Sequence, residues 1–156
     1  MAEPEVIAPW GEPIVGLEHS PLDFYATLET DIKLLEIPKA ELSRVSFKEA
    51  GLLSADRQYL RVKRYEHTFD ICGAPFGRGF FVSWWLFGQQ GCLASLPYLG
   101  ALLRPTTYYS IDTGLMFQAA VEHAVHQALQ TTMETKGLRA LSAEDRKPLM
   151  RDFFRR

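Results

Sequence analysis

Within the six residues HTFDIC the chain places an imidazole, a carboxylate and a thiol: His67, Asp70 and Cys72. An imidazole that takes a thiol's proton turns the sulfur into a nucleophile, so thiol chemistry would be drawn here. Strand alternation sets Asp70 and Cys72 on one face, with His67 near the turn. The plainer reading outweighs it: a cysteine buried as a small apolar residue beside a strand carboxylate. A thiol-dependent enzyme is therefore the third of three functional readings.

A second cluster holds Glu122, His123 and His126. Two histidines and a carboxylate suit zinc. At 100° per residue, however, both rings fall away from the apolar stripe of their helix, among Gln127, Gln130 and Glu134. No further ligand has matching spacing, so no metal and no cofactor is expected. The stretch RGFFVSW follows the order of an RNA-recognition signature, but Phe80 and Phe81 are adjacent and lie on opposite strand faces, so they cannot both stack bases. With a net charge of -2, nucleic acid is not an expected partner.

Cations offer more. Arg44, Lys48, Arg61 and Lys63, with Tyr59 and Tyr65, would make a basic aromatic sheet face for anions, RNA or lipid head groups; a solvated face, or one paired with the acidic first helix, is the plainer reading. The end of the sequence sets Arg146, Lys147, Arg151, Arg155 and Arg156 beside Leu149, Met150, Phe153 and Phe154, a pattern that docks on membranes or partners. Trp84, Trp85, Arg151, Phe153, Phe154 and Arg155 are the expected interaction surface.

The elements that must position these groups follow from periodicity. The 156 residues are 47% hydrophobic and 23% charged, which suits one folded domain with a real core. Residues 1–36 hold eight acids against Lys33 alone, so the remainder is basic and charge pairing within the fold is expected. Three prolines in residues 1–19 predict an extended arm. Ser20, Pro21 and Asp23 open a helix, Tyr25, Leu28, Ile32 and Leu35 form its stripe, and Pro38 ends it. Alternation with period two then predicts strands at LSRVSFKE, QYLRVKRY, TFDICGA and GFFVSWWLF, joined as a meander. A long helix follows, capped by Ser110 or Asp112, with Phe117, Val121, Ala124, Val125, Ala128 and Thr132 buried. Gly137 ends it in the left-handed conformation, with Leu138 against Met133.

Between Arg78 and Arg104 lie twenty-five residues without a charge, long enough to cross a bilayer. Gln89, Gln90 and Pro97 break it as a continuous helix, so a soluble core is the leading reading and membrane association the second. Two unlinked cysteines and an acidic, proline-bearing start lead to the expectation of a cytoplasmic protein.

Two blocks, AGLLSADRQYLRVKRYEHTFDICGAPFGRGFFVSWWL and RPTTYYSIDTGLMFQAAVEHAV…TKGLRALSAEDRKPLMRDF, covering roughly residues 50–87 and 104–153, resemble an uncharacterised bacterial protein family with no established activity. The resemblance implies a bacterial source and a hydrophobic, membrane-associated stretch between the blocks, here the short section 88–103; it transfers no site.

The expected architecture is thus α+β: an extended arm over 1–19, then a domain over 20–141, and a basic-aromatic tail over 142–156. The domain holds an N-terminal helix, a four-stranded antiparallel sheet from about 42 to 87, and a long C-terminal helix packed on one face. The leading functional expectation is a non-catalytic interaction subunit or binding module with a protein partner or as a homo-oligomer. The alternative is a membrane-peripheral or lipid-binding domain using residues 79–103 and the tail.

Overall fold

The N-terminal prolines do not keep the chain out of the sheet. The computed structural model describes residues 5–48, 56–88 and 107–138, and in it Glu5–Val15 form strand β1. Helix α1 spans Pro21–Leu34, strand β2 Glu41–Lys48, β3 Asp56–Arg64, β4 His67–Phe76 and β5 Gly79–Gly88. Helix α2 runs from Tyr108 to Thr135. The fold is α+β, with one five-stranded antiparallel sheet in the order β1-β5-β4-β3-β2.

The expected four-stranded sheet is short by one strand, and the expected arm is the missing edge. Pro9 pairs with Trp85 and Pro13 with Phe81. A residue without an N–H is tolerated where the missing donor would face outward from an edge strand. Both prolines have the same parity, so one edge strand accommodates them together. Trp10 and Ile14 lie between them in parity and are buried.

Helix α1 begins where its sequence directs. The Ser20 side chain caps the Asp23 N–H and Pro21 takes the first helical position. Its buried residues are Phe24, Tyr25, Leu28 and Ile32, so Phe24 replaces the expected Leu35, which is partly exposed beyond the last turn. Helix α2 starts earlier than Ser110. Thr107 is its cap, and the Thr107 and Ser110 side chains accept each other's backbone N–H at 3.2 and 3.1 Å. That reciprocal box fixes two otherwise unpaired donors and draws Tyr108 and Tyr109 into the helix. At the other end Gly137 has φ +69°, and the Leu138 N–H reaches the Met133 carbonyl at 2.9 Å, the closure expected of a left-handed cap.

Both helices pack on one face of the sheet and on each other. That face carries Trp10 and Ile14, Leu60 and Val62, Phe69 and Ile71, and the row Phe80, Val82, Trp84 and Leu86. Phe117 meets Phe69 edge-to-face at 5.5 Å, and Phe24 meets Phe80 at 5.6 Å. Gly73 lets α1 approach: a Cβ there would lie 2.7 Å from the Phe24 ring. Strand β2 inverts the expected sidedness. Arg44 is opposite Leu60 and Val45 opposite Tyr59, and opposed residues share a face. Arg44 therefore lies on the helix side, while Val45 and Phe47 lie on the side no described helix covers.

Candidate functional site

At one end of the sheet two neighbouring strands part. Pairing between β3 and β4 runs from Arg64↔His67 to Leu60↔Ile71 and stops, although β3 keeps its partner β2 as far as Asp56 and β4 keeps β5 as far as Phe76. The next rung would join Gln58 to Gly73. The Tyr25 hydroxyl stands in that rung: it accepts the Gly73 N–H at 3.0 Å and donates to the Gln58 carbonyl at 2.7 Å. Its ring is almost wholly buried. Burial pushes the Tyr25 phenol up to about 12, with the hydrogen bond to Gly73 and the Arg44 cation pulling partly back. Arg44 lies over that ring, 4.5 Å from its centroid, and pairs with Glu29 of α1.

Above Tyr25 the parted strands frame a cleft of about 630 Å³, a volume common among small-molecule sites. Ser20, Pro21 and Leu22 close it on the helix side, and Phe47, Arg57 and Tyr59 line it on the other face. Phe47 and Tyr59 meet edge-to-face at 5.4 Å. Cys72 is buried and free beside it. Burial raises the thiol above its ordinary range, against the partial pull of Arg57 and a hydrogen bond with Tyr25. A raised thiol is held protonated, the opposite of an activated nucleophile.

The sheet face that no described helix covers carries an ion pair. Arg61 holds Asp70 by two hydrogen bonds, both 2.7 Å. Asp70 is 4% exposed, and the paired guanidinium is what allows a carboxylate to be buried there. Arg61 also lies 5.7 Å from the Phe47 ring centroid. Trp85 is opposite Asp70 in the neighbouring strand.

The expected site residues are scattered by this register. Arg61 and Lys63 share the uncovered face, whereas Arg44 and the position of Lys48 alternate onto the helix side, so the four cations do not form one surface. Trp84 is buried at 1% in the core between Ile71 and Trp10; only Trp85 reaches the uncovered face, half-buried. Arg151, Phe153, Phe154 and Arg155 lie outside the described residues. His67 packs on α2, 6.4 Å from Phe117 and against Gly114. It thus lies across the sheet from Asp70 and Cys72, and one residue of strand parity separates the imidazole from the thiol. His123 is exposed on α2 and His126 is half-buried, meeting Trp10 edge-to-face at 5.0 Å; both line one surface cleft with Gln127, Gln130 and Glu134, the neighbours expected of them. Among the described residues no group of three His, Cys, Asp or Glu side chains could hold a metal ion.

A feature not expected from the sequence lies at the opposite end. The buried residues of α2 begin at Phe117, so the first nine residues run beyond the core, about 13 Å at helical rise. One flank, Ser110, Thr113 and Gly114, rests against the turn around Arg64–His67 across a small cleft of about 170 Å³. The other presents Tyr108, Ile111, Leu115 and Met116, all exposed, with Tyr109 81% exposed beside them. Steps of three and four from Tyr108 carry the stripe in sequence, but its first residue lies before the expected cap Ser110. No described helix is long and apolar enough to cross a membrane. Comparison of the chain with protein-family models, curated proteins and solved structures finds no match.

Proposed function

We propose that the chain is an interaction module that docks on a protein partner through the overhanging first turns of α2. The observation that carries this reading is the exposed stripe Tyr108, Ile111, Leu115 and Met116 on a helix whose remaining turns are packed. Over residues 107–121 the only charge is Asp112. A helical stripe of this spacing seats in an apolar groove of a partner. Exposed apolar patches rarely persist on monomers without such a use.

A lipid surface is the second reading, favoured by one observation. Residues 79–103 carry no formal charge, a run long enough to meet a bilayer. The test is co-purification at native expression from cells making the wild type or Leu115→Glu, with vesicle flotation alongside. Leu115 is exposed, so the variant should keep its thermal midpoint. Proteins retained by the wild type and lost by the variant support the reading. Identical sets, or none, overturn it, and flotation on neutral vesicles in high salt would transfer the surface to lipid.

A further inference from the structure

The two edges of the sheet are treated differently. Strand β1 is blunted, because Pro9 and Pro13 remove donors from its outer edge and its register shifts between Val6 and Ala8. Strand β2 has neither proline nor bulge over eight residues, and β3 is its only strand partner among those described. Its charge is drawn inward, since Arg44 is held by Glu29 and lies over Tyr25. Phe47 remains 47% exposed next to this edge.

Main-chain directions follow from the Tyr25 rung. The Gln58 carbonyl points toward β4, so alternation turns Tyr59 toward β2 and its partner Val45 toward β3. The backbone groups of Leu42, Arg44, Ser46 and Lys48 then point away from the sheet, a ladder of four donors and four acceptors that no other described strand pairs with.

We propose that this ladder pairs with β2 of a second copy, antiparallel about a two-fold axis through Val45, making one sheet of ten strands. Opposed residues must share a face, so the axis passes through a residue and not between two. Centred on Val45, the pairing sets Arg44 against Ser46, Ser43 against Phe47 and Leu42 against Lys48. Centring on Arg44 would oppose two arginines, and centring on Ser46 would oppose Arg44 to Lys48. Of the two registers that engage seven residues of β2, Val45 is the one that pairs no like charges, and it covers Phe47 with the partner strand. The contact is isologous and closes at two copies, with the helices of both on the same side of the joined sheet. It uses none of the α2 residues assigned to partner docking.

The test measures mass by sedimentation equilibrium in the wild type and in Ser46→Pro, which removes an outward donor and leaves the β2–β3 ladder intact. The wild type should be a dimer, and Ser46→Pro should dissociate about tenfold or more readily at an unchanged thermal midpoint, having lost two symmetric hydrogen bonds. Independently of whether Ser46→Pro folds, Val45→Cys in a Cys92→Ser background should form a disulfide between copies, as its non-hydrogen-bonded pair brings Cα atoms to about 4.5 Å. Ser43→Cys should not, because its own copy lies about 14 Å away along the strands. A monomeric wild type, a Ser46→Pro variant as dimeric as the wild type, or equal crosslinking at 43 and 45 would overturn the proposal.

Discussion

Replacing Tyr25 by phenylalanine removes one oxygen atom and tests whether the rung it forms holds β3 and β4 together. The ring stays in place among Phe24 and the Arg44 guanidinium, so packing is nearly unchanged. What changes is that the buried Gly73 N–H loses its 3.0 Å acceptor and the Gln58 carbonyl its 2.7 Å donor. Gln58 is exposed, so water replaces its partner. Gly73 is buried, and an unsatisfied buried donor costs about 1–3 kcal/mol. For a chain of this size that is a fall of about 2–12 °C in thermal midpoint. Thermal unfolding of both proteins reads the fall, and amide hydrogen exchange places it, with Gly73 losing protection ahead of Phe69 and Ile71. The wild type should also lose stability between pH 10 and about 12. There the unfolded phenol ionises while the folded one, raised to about 12, does not; the variant should lack that component. A Tyr25→Phe protein as stable as the wild type, with Gly73 still protected, would mean that the strands close without the hydroxyl and would refute the reasoning.

Two further outcomes are expected. Cys72, held protonated by burial, should resist thiol reagents at neutral pH and react at the rate of global unfolding; fast labelling in native buffer would contradict its placement, and a Cys92→Ser background makes the signal unambiguous. His19 meets Phe80 edge-to-face at 5.9 Å, and its buried Nε2 has no hydrogen-bond partner. Burial lowers its pKa, with Asp23 pulling it up and Lys136 pushing it down. The fold therefore prefers the neutral ring, and stability should fall as pH drops below about 6.5; His19→Gln should flatten that slope in denaturant titrations.

Much of the fold was legible in the residues, and the exceptions have physical causes. The caps at Ser20 and Gly137 and the period-two runs from Leu42 to Phe87 are local signals, and all of them appear as strands and helix ends. The strand from Glu5 to Val15 was hidden because Pro9 and Pro13 argue against a strand in general, and only an edge position reverses that argument. The site fared worse for a related reason. Alternation within one strand is visible in sequence, but whether Arg44 and Arg61 share a face depends on register between strands, which rests on how the whole core packs. His67 and Cys72 illustrate the same point, five residues apart in sequence and on opposite sides of the sheet. The Tyr25 rung has no local signature: a tyrosine in an apolar helical stripe reads as core until the strands beneath it are seen to part.

The position of β1 also bears on how the protein is made. It precedes the other described strands in sequence, yet its one strand partner among them is β5, in the register Glu5↔Gly88 to Val15↔Gly79. Some seventy residues must be synthesised before that partner exists, about 4 to 14 seconds at bacterial and eukaryotic elongation rates. During that interval the central hairpins can close by local contacts, while Trp10 and Ile14 wait without their side of the core. Strand β1 is thus made before the other described strands and is among the last to be placed, and a nascent chain halted before Gly79 would hold Trp10 and Ile14 open to capture by other proteins.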